Sequence, residues 1–511
     1  MVSLAGCTLP ETWAGDDYIG PLDRRPAARG ERAGQAQLPK TPAVPPTGPL
    51  NVSITEAVLI GLENNRALIV ERTNPPIRRT YEDQERAVFD PVLKAEAAAS
   101  HAAGKTGAGG NFSTTSVGAG AAVAKRLPTG TDVEAGVTAD QTRGAVSNNA
   151  VRAGLSVTQA LLRGAGTDVN LASIRQARLD TLSSQYELRG FAEALVADIE
   201  STYWDHVLAK RQIEIYEKSL KLAGDQLKEA EQRVNVGKLA ATDLAAARAE
   251  VALRQEALIN ARSLLDTTRL RLLRLTSPPG SGLWQREVAL KDAPSTPSLK
   301  LDDVEDHARL ALKTRPDLNE ARLRVRRDEL ELVKTKNGLL PKLDLFVSLG
   351  KTGYADSFGS AAGDLGNEYY DVSAGLSFEI PFGNRDAKAQ HRRAVLTRQQ
   401  AADAVANMEQ LVQVDVRSSH VEVKRSAQQA AATSATREAQ EEKVRAETEK
   451  FLVGKSTSLL VATVQRDLVQ SQIGEVQAVV NYLKALIDLY RLDGSLLERR
   501  GIATPGRDPA D

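Results

Sequence analysis

At 511 residues the chain is long enough for several buried cores, and 66 Lys and Arg against 66 Asp and Glu leave no basic excess that would draw nucleic acid. Aromatic residues are only 4%, low for a large compact enzyme, while Ala, Leu, Arg, Glu and Gln fill long tracts, the composition of long helices packed on one another. Runs of about 18 apolar residues are absent, so no segment reads as a membrane-spanning helix; the short alternation of a β-barrel is untouched by that test.

The one cysteine, Cys7, stands in Leu4-Ala5-Gly6-Cys7, which excludes a disulfide within the chain. Small residues before a cysteine resemble a bacterial lipobox, in which the cysteine becomes an acylated N-terminus; the bland reading is a free thiol. Six residues precede Cys7, fewer than a complete signal peptide needs. The stretch after the cysteine favours lipidation, because Thr8 to Leu50 is Pro- and Gly-rich without a sustained period, an extended tether. Residues 1–50 are therefore expected to be lipobox and tether.

A helix is predicted from Ser53, with Glu56 completing a capping box, and Asn74-Pro75-Pro76 breaks it before a short resumption to Val88. Beyond Phe89-Asp90-Pro91 the period changes. Val151, Ala153, Leu155 and Val157 alternate with Arg152, Gly154, Ser156 and Thr158, a strand with one apolar and one polar face. Residues 92–100 form a weaker strand, 101–115 a loop, and 117–127 with 131–139 a hairpin about Pro128-Thr129-Gly130. Near-helical spacing then runs from about Asp168 to the Val236-Gly237 turn and returns to about Leu275, a rod of roughly 100 Å. Pro278-Pro279-Gly280 ends it, and 281–300 reads as a linker.

The order then repeats. A helix is expected from about Leu301 through Arg315-Pro316-Asp317-Leu318 to Asn337. Alternating strands come next at 342–349 and 371–380, either side of a Gly/Ser/Tyr loop, and a second long helix pair spans 384–493. Its turn, Val453-Gly454-Lys455, lies 217 residues after the first. The chain thus divides into residues 1–50, a first repeat over 51–300, a second over 301–495 and a tail over 496–511. The offset between halves falls from 250 to 221 across the strand region, because the first half carries the extra hairpin.

Strands with one apolar and one polar face can cross a bilayer only in a closed barrel, since every backbone group must pair there. Four to six strands are too few, the smallest such barrels having about eight. Several copies must therefore close one barrel, and rods of about 100 Å must project from a hydrocarbon layer of about 30 Å.

This order of helix, strands, long helix, glycine turn and long helix, given twice, resembles the TolC family of outer-membrane efflux proteins. The resemblance covers about residues 50–495. Its marks are Phe89-Asp90-Pro91, Lys125-Arg126-Leu127-Pro128-Thr129-Gly130-Thr131, Leu161-Leu162-Arg163-Gly164-Ala165-Gly166, the Arg-Pro-Asp-Leu at 315–318 and the two Val-Gly turns. It implies a mixed α and β fold in which duplicated long α-hairpins form a periplasmic α-barrel continuous with a transmembrane β-barrel, built by a homotrimer in outer-membrane lipid. It further implies a periplasmic adaptor docked on the turns and an inner-membrane pump. The tip residues it marks are Val236, Gly237, Lys238, Leu239, Thr242, Asp243 and Leu244 on one turn, and Val453, Gly454, Lys455, Ser456 and Leu459 on the other. Thr242 and Ser456 are candidate caps for the returning helices. The family places four strands per protomer, so the 117–139 hairpin either adds to the wall or lies outside it. Aspartates that some relatives carry six and nine residues after the second-turn glycine are here Leu460 and Thr463, and in the first repeat the positions are Asp243 and Ala246.

No catalytic constellation is expected. Gly104-Lys105-Thr106 has Ala99 where a P-loop has its first glycine, and reads as a surface loop. Gly164-Ala165-Gly166 has Val169 at the third glycine of a dinucleotide turn, and reads as a strand-to-helix corner capped by Thr167 or Asp168. His101, His206, His307, His391 and His420 are isolated in sequence without metal-ligand spacing. No enzyme activity, cofactor or metal is therefore expected. Tyr354, Phe358, Tyr369 and Tyr370 flank the second strand pair, as an interfacial belt or as ordinary loop aromatics. The function expected is passive export of small molecules across periplasm and outer membrane, in a tripartite efflux or type I secretion system. The rivals are a duct for protein secretion and a soluble coiled-coil scaffold, the latter disfavoured by the alternating strands.

The lipobox reading has a direct test. Stable anchoring takes two lipid signals, a single chain being marginal, so the mature protein should take up palmitate label and Cys7→Ser should lose it; an unlabelled wild type would refute acylation.

Overall fold

In the computed structural model the described residues are 49–502, apart from 106, 108, 145–146, 237–240, 279, 281–282 and 297–300; Cys7 and the expected tether to residue 48 lie outside them, whereas Leu50, expected at the end of the tether, is a buried strand residue paired with the linker. Ser53 opens the first helix through the expected capping box: its hydroxyl accepts from Glu56 N at 3.3 Å and its own N–H donates to Glu56 Oε2 at 2.7 Å. The chain runs Leu50–Val52 (β1), Ile54–Asn64 (α1), Arg66–Glu71 (α2) and Asn74–Arg86 (α3). The first break falls at Asn65, whose side chain caps α2 by accepting from Leu68 N and donates to Leu275 O. Asn74-Pro75-Pro76 begins α3, because a missing N–H is tolerated in a first turn.

Four strands follow: Val92–Lys105 (β2), Asn111–Arg126 (β3), Thr131–Arg143 (β4) and Asn148–Ala160 (β5). The stretch expected as a loop at 101–115 mostly extends β2 and β3. Its Ala, Gly, Ser and Thr side chains show no clear two-residue alternation, yet backbone pairing carries the ladder out to Lys105 and Asn111. Thr167–Asn170 (α4), Ala172–Asn235 (α5) and Ala241–Thr276 (α6) come next. Gly166, not Thr167 or Asp168, occupies the cap of α4. The expected linker holds Val288–Leu290 (β6), which pairs in parallel with β1.

In the second half, Val304–Thr314 (α7) and Pro316–Gly338 (α8) replace the single helix expected. Pro316 holds Arg315 extended, and the Arg315 guanidinium bonds Asp317 and, at 2.9 Å, Asp415. Lys342–Ala355 (β7), Phe358–Asp364 (α9), Asp371–Glu379 (β8), Arg385–Leu452 (α10), Ser458–Leu492 (α11) and Leu496–Arg499 (α12) complete the order. α9 stands inside the Gly/Ser/Tyr loop. The expected tail begins as α12, whose Leu496 and Leu497 are fully buried.

The strands form one antiparallel sheet in the order β2-β3-β4-β5-β7-β8. Toward the sheet the helices pack side by side as α3, α5, α8 and α10; farther away the order is α6, α5, α11 and α10. Each helix near the sheet continues the strand beside it, so sheet and helical layer share one lateral order. The 64 residues of α5 cover about 96 Å at about 1.5 Å each.

The core is a collar at mid-height. Val196, Ile199 and Tyr203 of α5 meet Ile60 of α1, Leu272 and Leu273 of α6, and Leu496 and Leu497. A second cluster joins α7 and α11 to Val412, Val416 and Val423 of α10. Beyond Ala209 only Ala223 of α5 is buried, so the far halves of the hairpins are one helix thick. The collar also buries charge. Arg189, 1% exposed, bonds Glu193 and donates to Gly494 O at 2.9 Å. Gly494 has φ +71°, and a Cβ there would sit 3.0 Å from Thr314 Oγ1. Asp493 pairs with His307 at 2.7 Å.

Burial pushes the Glu193 carboxyl up to about 7, against the pull of Arg189. A folded pKa above the unfolded 4.5 means that this contribution to stability is complete below pH 4.5 and is lost as pH rises through about 7. The wild-type melting midpoint, minus that of Glu193→Gln, should therefore fall across that window. A difference that stays flat or rises would show that Glu193 is not raised.

Candidate functional site

Three features of the fold bear on function: the two faces of the sheet, its two open sides and the helix tips. The register places Leu93, Val123, Ala135, Leu155, Leu349 and Val372 in one row across all six strands. The next row, one residue along, is Lys94, Ala122, Gly136, Gly154, Gly350 and Asp371 on the opposite face. The apolar row is exposed in the single chain at all six positions, Leu93 most of all. Large apolar side chains spread over a whole sheet face need a nonaqueous neighbour. The other face carries ion pairs, Lys94 with Glu134 at 2.9 Å and Arg152 with Asp371 at 2.6 Å.

Aromatic side chains sit at both ends of the sheet. Tyr369 and Tyr370 are exposed at the end away from the long helices, where Phe358 opens α9 and Tyr354 falls by register on the polar face, and Phe378 and Phe382 are exposed toward the helices. The nine residues of β8 cover about 30 Å, or about 23 Å of height at a tilt of about 40°, close to the apolar band of an outer-membrane barrel, which suits a belt.

Both sides of the sheet are open: β2 and β8 each have a neighbour on one side only. The helical layer is open on the same sides. Leu396, Leu411, Val414 and Val421 are exposed and share one face of α10 at about 100° per residue. On the helices at the other side, Ile77 and Tyr81 of α3 are exposed, as are Leu253 and Leu264, which share one face of α6.

At the tips, Val236 is exposed and Leu244 half-buried; Gly237, Lys238 and Leu239 lie outside the described residues, as do the side chains of Thr242 and Asp243. The second turn is fully described. Gly454 takes φ +74°, which a Cβ would strain, and Lys455 N closes the helix end on Lys450 O at 2.8 Å. Thr457, not Ser456, caps α11, its hydroxyl accepting from Leu460 N. Ser456 instead donates to Glu447; that hydroxyl first, then the Lys450 ammonium, holds the Glu447 carboxyl below its usual range. Val453 and Leu459 are 68% and 65% exposed, and Leu452 and Leu460 extend the same apolar tip. The sequence pattern hides Leu452 as the last residue of a helix. Arg233 lies over the Phe451 ring at 5.3 Å and ties the first tip to the second.

The histidines are less isolated than their spacing suggests. His307 and His420 face each other at 6.1 Å between ring centroids, with Asp493 beside them. Burial lowers His206 to about 4. Among the described residues no group of three or more His, Cys, Asp or Glu is placed to hold a metal, and no helix is long and apolar enough to cross a membrane.

A family model described as outer membrane efflux protein matches residues 62–277 and 308–495. No curated protein matches the chain. Among solved structures the chain is similar to the outer-membrane channel OprN, at 16% identity and a TM-score of 0.66 over 86% of this chain and 90% of that one. It is similar to the CmeC outer membrane channel of Campylobacter jejuni, at 14% identity and a TM-score of 0.65 over 87% and 86%. It is also similar to the MtrE outer membrane channel of Neisseria gonorrhoeae, in its open state, at 18% identity and a TM-score of 0.61 over 87% and 89%. At these identities the likeness is one of fold.

The two faces of the sheet separate under mutation. Leu155→Arg puts a charge on the apolar face near mid-height, where it costs about 2–4 kcal/mol in lipid. Ser156→Arg, one residue on, faces the polar side and should be tolerated. The measurement is the amount of folded, heat-modifiable protein in the membrane; equal loss from both variants would mean that the faces are misassigned.

Proposed function

This chain belongs to the outer membrane efflux protein family, and from that premise we propose that it is the outer-membrane duct of a tripartite export system. Three copies close one tube, β8 of each pairing with β2 of the next while α10 packs against the neighbour's α3 and α6. The observation that carries this reading is the coincidence of the open sides: a sheet with two unpaired edges continues into a helical layer with two apolar edges, in the same order. Head-to-tail contacts of that kind close into a ring where the rotation from copy to copy closes, as a curved sheet in a membrane requires. A soluble coiled-coil scaffold would have no use for the exposed apolar row.

The duct is passive. The residues before β1 tether it, the six-stranded sheet spans the outer membrane, and the hairpins of both repeats cross the periplasm. An inner-membrane pump supplies the energy through a periplasmic adaptor seated on the two tips, and small molecules are the cargo. Support for the tips as the docking site comes from their place at the far ends of the hairpins and from Leu452, Val453, Leu459 and Leu460, apolar side chains left in water where the helices end. Opening is a rearrangement of the hairpins where the layer is one helix thick.

Docking and mere turn-forming separate on Leu459→Asp. On an exposed tip the change should cost no more than about 0.5 kcal/mol. It should nevertheless weaken adaptor binding and abolish export, since the carboxylate would be buried unpaired in the complex. Trimer yield is measured beside cargo efflux; normal trimers with undiminished efflux would leave the turn without a docking role.

A further inference from the structure

We infer that the membrane barrel of this duct has six strands per protomer in its wall, eighteen when three copies close, and that it passes bulky hydrated polar solutes without a constriction at the membrane. The inference rests on the proposed trimer and concerns the hairpin β3–β4.

The hairpin belongs to the wall. It is paired on both sides: β3 to β2 from Asn111 to Ala124, and β4 to β5 from Thr131 to Thr142. Its apolar positions, among them Val123, Ala135 and Val137, continue the apolar face of the flanking strands. On the polar face the Lys94–Glu134 pair reaches from β2 to β4 over β3. The hairpin's inner turn is seated on the corner where β5 turns into the helices. Gly166 N donates to Thr129 O at 3.1 Å and Ala160 N to Gly130 O at 3.0 Å. Gly130 has φ +87°, and a Cβ there would lie 2.2 Å from Gly164 O. A hairpin lying outside the wall would have no reason for that fit.

Width follows from arc length. Six strands about 4.8 Å apart, tilted about 40°, cover about 37 Å of circumference. Four helices about 9–10 Å apart cover about 36–40 Å. The two layers of one protomer therefore subtend the same arc, and the tube enters the membrane without narrowing. Four strands would cover only about 25 Å and force a taper. Closed threefold, the backbone radius is about 18 Å with six strands and about 12 Å with four. The added lumen is not refilled: Gly118, Gly120, Ala122, Ala124 and Gly136 are the polar-face residues over the middle of the hairpin, beside the Glu134 carboxylate. At Gly118 a Cβ would lie 2.4 Å from Asp140 Oδ1 and would displace that carboxylate. A wide bore lined over the hairpin by small residues and paired charges suits hydrated polar cargo, with Phe346 and Tyr354 the large side chains on the β7 part of the same face.

The test uses the full chain in a Cys7→Ser background, in outer-membrane vesicles, with membrane-impermeant maleimide polyethylene glycols of graded size added from outside. Ala122→Cys and Ala124→Cys should be labelled; Ala119→Cys and Ala121→Cys, on the lipid face, should not. Equal labelling of all four would place the hairpin outside the wall and overturn the inference. Labelling of Ser156→Cys by the graded polymers measures the bore. Deleting residues 106–144 joins β2 to β5 by a short loop and leaves four strands per protomer, so the cross-section that admits polymer should shrink more than twofold. An unchanged size limit in an assembled deletion variant would also overturn the inference; if the deletion does not assemble, the four-cysteine pattern decides alone. Complex mass in detergent separates the premises: a complex that is not a trimer sinks the proposed function, whereas a trimer with uniform labelling sinks only the wide barrel.

Discussion

Backbone hydrogen bonding in lipid governs this structure. An unpaired N–H or C=O inside the hydrocarbon layer costs several kcal/mol, so a sheet that stands there cannot keep an edge. The chain nevertheless ends its sheet on β2 and β8, both exposed throughout or nearly so. The polar face cannot be turned to lipid, and six strands cannot curl shut on themselves. Copies of the chain are the remaining source of partners. That necessity extends to the helices, because α3 and α10 lead directly into and out of the two edge strands. Whatever pairs the strands brings the neighbouring helices into register, and their exposed apolar side chains are the surface that then becomes buried.

The collar keeps these edges parallel over such a length. Helices of 64 and 68 residues, one layer thick at the far end, have little of their own to fix their spacing. At mid-height they are clamped from outside by α1, α7, β1, β6 and α12. The clamp is locked by polar groups that cannot be released cheaply: Arg189 on Gly494 O, His307 on Asp493, Arg500 on Glu200 at 2.6 Å. Breaking a buried pair by removing one partner costs about 3–5 kcal/mol, far more than the pair itself contributes. Such groups hold a position more than they add stability. Here the position is the spacing of the long hairpins, with the sheet on one side of it and the tips on the other.

Much of this was legible in the sequence, and the reasons are physical. Alternation at 151–158, the Gly454 turn and the Ser53–Glu56 box each depend on the chemistry of a few adjacent residues, so they can be read without a partner. The features that escaped depend on contacts far apart in the chain. β6 is three residues long and exists because β1, 238 positions earlier from Leu50 to Val288, offers a parallel edge. Leu496 and Leu497 look like the start of a tail until α5 lies over them. His307 and His420 sit 113 residues apart on α7 and α10 and meet only when those helices pack. The break at Arg315 was in plain sight, since a residue before proline avoids the helical region, but the apolar period on both sides of it masks the interruption. The outer parts of β2 and β3 escaped for a different reason. Ala, Gly, Ser and Thr lack the apolar contrast that marks a strand, and backbone pairing alone carries them.

The same contrast in packing says where the tube can move. Local opening is easiest where few apolar side chains are buried and the backbone is held only within its own helix. The collar is the opposite of this, and the sheet is fixed by its ladders. Beyond Ala209 few apolar side chains are buried, and side-chain pairs such as Gln226 with Gln465 and Arg466 with Glu250 link one hairpin to the other. Exposed pairs of this kind contribute about 0–1 kcal/mol each. A partner that covers the apolar tip residues gains more than it must spend to separate a few of them. It need not disturb the collar or the wall, because the buried clusters of the collar stand between the thin ends and the sheet. On the proposed docking, motion applied at the tips would be confined to the thin part of the tube, and the membrane end would keep its shape.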